Sequence, residues 1–196
     1  MDTLYHIAQF VHVLSFAFMS VPLFNLIVVN ERAQLGVGFE YNTDRYFENI
    51  IRRGAYRCYV FQSTVLISGI LLLVWGPLGL AALWSNWILL TKLVLLVILM
   101  ALLSYVHFGL QPKIEALLAT VEGGKNIPPD FAGQLKPYRV TRKRLATFCL
   151  FLVVATIILG LQVYATFSPA LTIALLALAA LFAWRVNTTL LRFGWV

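Results

Sequence analysis

Five long apolar stretches, separated by charged or turn-rich breaks, dominate the pattern of the chain. A bilayer core of roughly 30 Å takes about 20 apolar residues per helical span, and the stretches meet or approach that length. The first runs from Leu4 to Val29 and is unusually polar, carrying His6, Gln9, His12, Ser15, Ser20, Pro22 and Asn25. The second runs from Tyr59 to Trp75 and stops at Gly76-Pro77, where a flexible residue and a missing donor end a helix. The third covers Trp87 to Leu110, the fourth Leu145 to Phe167 and the fifth Ala170 to Trp184, closed by Arg185, with Ser168-Pro169 as the turn between the last two. Neither a repeat of fixed period nor a low-complexity tract accompanies them, so a solenoid or array gains no support. The expectation is an all-α integral membrane bundle of about five transmembrane helices, forming a single domain over residues 1–196.

Composition agrees, because 61% hydrophobic residues against 12% charged leaves too little polar side chain to cover a soluble globule. The first stretch is expected to stay in the mature chain, since Asp2 stands where a signal peptide carries basic residues and the apolar run is too long for one. Lysines and arginines concentrate on the side of the membrane where a protein is made. Here Arg32, Arg45, Arg52, Arg53 and Arg57 separate the first two spans, and Lys113, Lys125, Lys136, Arg139, Arg142, Lys143 and Arg144 separate the third and fourth. Arg185 and Arg192 follow the fifth, whereas residues 76–86 and 168–169 carry no basic residue. The predicted topology therefore puts the N-terminus outside and the C-terminus in the cytoplasm, as a multi-pass protein of the inner (plasma) membrane. Basic loops beside an anionic leaflet account for the net charge of +7 without a nucleic-acid partner.

Residues 43–57 have the caps and apolar spacing of a short interfacial helix lying on the membrane before the second span. Residues 121–138 contain Gly123-Gly124, Pro128-Pro129 and Pro137, which favour an irregular connection. Cys58 and Cys149 fall near the cytoplasmic ends of their spans, belong to no metal-spaced cluster, and read as small packing residues. The eight acidic residues sit in loops or at span ends, which argues against a carboxylate proton relay; phosphate-binding glycine loops and nucleophile elbows are missing as well.

Polar residues inside the bilayer are the informative ones, since each costs free energy unless it is partnered or faces a cavity. His12 lies seven residues beyond Tyr5, roughly 10 Å along the axis, and Lys92 lies five beyond Trp87, roughly 8 Å, so the two sit at nearly the same depth in the outer half. His107 is twenty residues past Trp87, roughly 30 Å, at the opposite interface, so His12 and His107 cannot flank one haem. A neutral imidazole is a good haem-iron ligand. An ammonium facing the bundle interior would pair with a haem propionate or with an acidic porphyrin or quinone-like substrate, and one near the surface would snorkel to the headgroups. His6 and His107 read as interfacial.

Phe10-Val11-His12, the run Arg52-Arg53-Gly54-Ala55-Tyr56 leading into a span with Gly69, and the segment Trp87 to His107 with Lys92-Leu93 and Tyr105-Val106-His107 resemble the HemJ-type protoporphyrinogen oxidases. The wider relatives by pattern are the copper resistance D proteins. The resemblance spans roughly the first four helices and implies haem b in the bundle, with His12 and Lys92 at the family's functional histidine and lysine. The chain departs from the pattern after His12, reading Phe18-Met19-Ser20-Val21-Pro22-Leu23 where the family has a tryptophan, a glycine and a Leu-Pro-Arg stretch. Tyr105 and His107 are split by Val106 and lie further from the lysine than in the family, and the fifth helix has no counterpart in the four-helix form.

Three functions are consistent with these residues. The first is a haem b-binding membrane redox protein, passing electrons or oxidising a porphyrin- or quinone-type substrate, with His12 as the iron ligand and Lys92 as the partner of an anionic group. The second is a cofactor-free accessory subunit, in a homo-oligomer or a larger membrane complex. The third is copper handling, which needs soft sulfur or clustered imidazoles; Met1, Met19 and Met100 are scattered, which ranks it last.

Overall fold

The computed structural model describes residues 2–35, 38–121, 123, 127–163 and 165–188. Met1, Gly124, Lys125 and Arg192, which figured in the sequence reading, lie outside them. The described residues form helices joined by short connections: α1 (Asp2–Glu31), α2 (Tyr41–Trp75), α3 (Ala82–Ser85), α4 (Trp87–Ser104), α5 (Gln111–Ala119), α6 (Phe131–Leu161) and α7 (Pro169–Thr188). Among them, five segments are long and apolar enough to cross a bilayer: Thr3–Glu31, Tyr41–Trp75, Trp87–Ala119, Phe131–Leu161 and Pro169–Thr188. The chain is thus an all-α, multi-pass membrane protein.

The helix ends follow from local chemistry. Glu40 caps α2, its carboxylate accepting the amides of Asn42 (3.1 Å) and Thr43 (2.6 Å), while Asp44 accepts the Glu40 amide (2.9 Å). Each side chain thereby satisfies amides that a helix start leaves open. The Thr43 hydroxyl and amide, with the Asn42 amide, hold the Glu40 carboxyl below the usual glutamate range. At the far end Gly76 closes α2, and the turn that follows needs Gly79 at φ +70°. Asn86 then caps α4 by accepting the Ile88 amide at 2.9 Å. Between α4 and α5 one wide π turn, Tyr105–Leu110, keeps the helix continuous, the Gln111 amide reaching back to Val106. Pro112 lies just beyond, and its ring would clash with the Phe108 carbonyl in a regular α-helix, so a widened turn relieves the conflict.

α6 is the central helix and carries the longest buried stripe, with α1, α4 and α7 packed around it and α2 against α1. Its contacts define the core: Met19, Cys58, Leu99, Cys149, Leu152 and Val153 in the middle, and Ile27, Ala146, Leu150 and Val186 nearer one end. A third cluster, Ile114, Leu118, Val121, Phe131 and Leu135, joins α5 to the start of α6. The outer faces are apolar, with Phe10, Val13, Val60, Ile67, Val97, Ile173 and Leu178 exposed as a surface for lipid tails. Trp84 and Trp87, 72% and 62% exposed, stand together at the α2–α4 connection, in the manner of an aromatic interfacial belt.

Two helices are longer than the sequence predicted. Residues 43–57 are not a separate surface helix; they are the first turns of α2, which runs unbroken for 35 residues. α6 begins at Phe131 and not at Leu145, so the irregular connection ends at Asp130, and Pro137 sits inside the helix. α6 also stops at Leu161, six residues short of Phe167. In both extensions, burial of charged side chains against neighbouring helices holds residues that hydropathy alone assigns to loops.

Candidate functional site

His12 projects from α1 onto α2, where Ser68 is buried and Gly69 leaves room for the ring. The Nδ1 atom lies 3.0 Å from Ser68 Oγ. Ser68 Oγ in turn donates its single proton to the Thr64 carbonyl at 2.5 Å, so its oxygen is left to accept, and Nδ1 must carry the hydrogen of that bond. Nε2 therefore presents a lone pair, with no hydrogen-bond partner among the described residues. The ring lies so close to Gly69 that a Cβ there would stand 3.2 Å from Cε1.

Lys92, on α4, is half-buried and reaches toward α6, where its Nζ would lie 3.5 Å from a Cβ at Gly160. Ion pairing does not involve Lys92 among the described residues, so its charge is available to an anionic group. His6 is exposed at the outer turn of α1, edge-on to Tyr5 at 5.7 Å. His107 lies in the π turn among Tyr56, Tyr59 and Phe108, with its Nδ1 buried and unpartnered among the described residues. Tyr59 and Ser68 are nine residues apart on α2, or about 13 Å, so the two histidines belong to separate sites.

The donors this region offers are one imidazole and, on α4, one ammonium. An imidazole oriented through Nδ1 and free at Nε2 is the usual arrangement of a metal-binding histidine, and the Ser68 oxygen is the outer partner that holds it. A second axial histidine is not brought to this position.

The sulfur atoms behave differently from expectation in one respect. Cys58 and Cys149 pack in the apolar core, and with them stands Met19, around an apolar cavity of about 40 Å3. Gln62 reaches into the same space, its Nε2 3.7 Å from Cys58 Sγ and its Oε1 buried without a partner among the described residues. Met100 stands apart from this group, and nothing in the spacing of the methionines foretold the convergence of Met19 on the two thiols.

The larger omission of the sequence reading is a charged network at the arginine-rich end. Arg142 is fully buried, and its five N–H groups are all engaged: with Asn30 Oδ1 (3.0 and 2.8 Å), with Glu48 (2.7 and 2.9 Å) and with Gln111 Oε1 (2.8 Å). Arg139 joins Asp44 (2.7 Å) and Glu48 (3.2 Å), and Arg32 also reaches Asp44 (3.2 Å). Lys143, buried too, lies 2.9 Å from Gln34 Oε1 and 3.6 Å from Glu31. Arg45 pairs with Glu115 nearby. These arginines and Lys143 were expected to face headgroups from a loop. Arg32, Arg139 and Arg142 face the α2 carboxylates Asp44 and Glu48 instead, Lys143 faces Glu31 of α1 and Arg45 faces Glu115 of α5, because a buried charge is tolerated only when paired and hydrogen-bonded. The one signal available in the sequence was spacing: Asp44, Glu48, Ile51, Cys58, Gln62 and Val65 recur three, four or seven apart and form one face of α2.

Comparisons with protein-family models, with curated proteins and with solved structures found no match.

Proposed function

We propose that this chain is a haem b-binding redox protein of the inner (plasma) membrane, with His12 as axial ligand through Nε2 and Lys92 as the partner of a propionate. The observation that supports the reading is the hydrogen-bond chain His12–Ser68–Thr64, which commits Nδ1 and leaves Nε2 to a ligand; Lys92 is in no ion pair among the described residues. The resemblance of the His12 and Lys92 segments to the HemJ-type oxidases supports the same assignment, with the N-terminus outside. When bound, haem supplies one-electron chemistry to a quinone- or porphyrin-type partner. The chain itself orients the imidazole through Ser68 and admits it closely over Gly69, and in this reading Lys92 would meet a carboxylate of the ligand.

The test is the visible spectrum of the protein purified in detergent, before and after addition of hemin. The expected result is a Soret band that is lost in His12→Ala and displaced in Gly69→Ala, where the added methyl group pushes the ring. Ser68→Ala is expected to weaken hemin binding by about tenfold, in line with losses on removing an outer partner of a metal ligand. A wild-type preparation that stays colourless and binds hemin no better than His12→Ala refutes the reading and leaves a cofactor-free subunit.

A further inference from the structure

At the arginine-rich end a second cavity opens between the loop after α1, the first turn of α2 and the first two turns of α6. It measures about 260 Å3 and is lined by Arg32, Gly38, Asp44, Gly133, Lys136 and Arg139, among others. Three cations and one carboxylate thus face it. The carboxylate is already occupied, since Asp44 accepts hydrogen bonds from Arg32, from Arg139 and from the Glu40 amide. Arg139 is held by Asp44 through Nη1 and by Glu48 through Nη2, yet its Nε is buried and has no acceptor among the described residues, although the side chain is only 8% exposed. A buried guanidinium N–H left without an acceptor is costly. Arg139 is one of the residues that line this cavity.

The backbone adds to the same field. α6 starts here, and a helix of 31 residues presents open amides and the positive end of its dipole at its first turn. The Phe131 and Gln134 amides are engaged by the Pro128 and Asp130 carbonyls, and those of Ala132 and Gly133 have no protein acceptor among the described residues. The competing anion is Asp130, whose carboxylate lies against Gly133. Glu48 is turned away, onto Arg142 and Gln111. Glu40 is exposed at the α2 cap, occupied by Asn42 and Thr43.

We propose that this cavity is an oxyanion site for a phosphate group, with Arg139, Lys136, Arg32 and the α6 amides as donors. Arginine forks and helix amides together are the usual partners of phosphate oxygens. At about 260 Å3 the cavity has room for a free phosphate or a single phospholipid headgroup. The two sources share this chemistry and differ in whether acyl chains are attached.

The experiment uses the full chain in non-ionic detergent. Inorganic phosphate is titrated calorimetrically against sodium chloride at matched ionic strength, and native mass spectrometry records phosphatidylglycerol retained after extraction from nanodiscs containing it and phosphatidylcholine. Lys136→Gln removes one exposed donor, and Ala132→Leu fills the cavity without altering charge; both residues are exposed, so the fold is expected to persist and is checked by circular dichroism. Saturable phosphate binding, weakened about tenfold in both variants, establishes the site with a soluble ligand. Retention of phosphatidylglycerol by the wild type, lost in both variants, establishes it with a headgroup. Wild type and variants that are alike in both measurements overturn the proposal.

Discussion

Replacing Arg142 by methionine separates two descriptions of the basic residues between the third and fourth spans. If they are surface charges facing headgroups, each is worth no more than about 1 kcal/mol, the usual range for exposed ion pairs. The structure buries Arg142 completely and gives it five hydrogen bonds, two of them to Glu48. Methionine roughly conserves volume, so the packing term is small. What remains is Glu48, fully buried, with only Arg139 at 3.2 Å and Gln111 at 3.3 Å to compensate its charge. Removing one member of such a pair costs about 3–5 kcal/mol. For a chain of this length that corresponds to a fall in Tm of about 6–20 °C. The assay is unfolding in mixed micelles by added SDS, followed by far-ultraviolet circular dichroism. The double variant Glu48→Met with Arg142→Met removes the stranded charge, and its loss is expected to fall short of the sum of the two single losses by about 1–3 kcal/mol. A loss under 1 kcal/mol for Arg142→Met, or strict additivity in the double variant, refutes the buried network.

Two further expectations concern the same end of the bundle. Phe131 is 1% exposed and stacks edge-on with Phe39 at 4.6 Å within the cluster that joins α5 to α6, so Phe131→Ala is expected to cost about 3–5 kcal/mol in the same unfolding assay, and a loss below 1 kcal/mol contradicts the packing. The Glu40 carboxyl is held below its ordinary range by Thr43 and Asn42, so its capping contribution is present above the unfolded-state pKa and is lost as pH falls through the lower folded value. An NMR titration of the Thr43 amide shift is expected to have its midpoint below about 4.3, the unperturbed glutamate value, and to be flat in Glu40→Gln; a midpoint at or above that value removes the cap.

The membrane class and the number of spans were legible in the chain, because solvation of apolar side chains is a local property that each segment carries by itself. For His12 and Lys92 the sequence offered only an expected height, since rise per residue converts sequence position into height along a helix. Height does not specify azimuth. That His12 turns onto Ser68 and Gly69, that Lys92 turns toward Gly160, and that Met19 meets Cys58 and Cys149 depend on how the helices rotate against one another, which only packing decides. The misplaced starts of α2 and α6 have the same origin. Asp44, Glu48, Arg139 and Arg142 look like loop residues when each is scored alone, and become interior when opposite charges from two helices are brought together and complete each other's hydrogen bonds. Partition into lipid is decided residue by residue; compensation between buried charges exists only between elements distant in the chain, and it is the tertiary structure that pairs them.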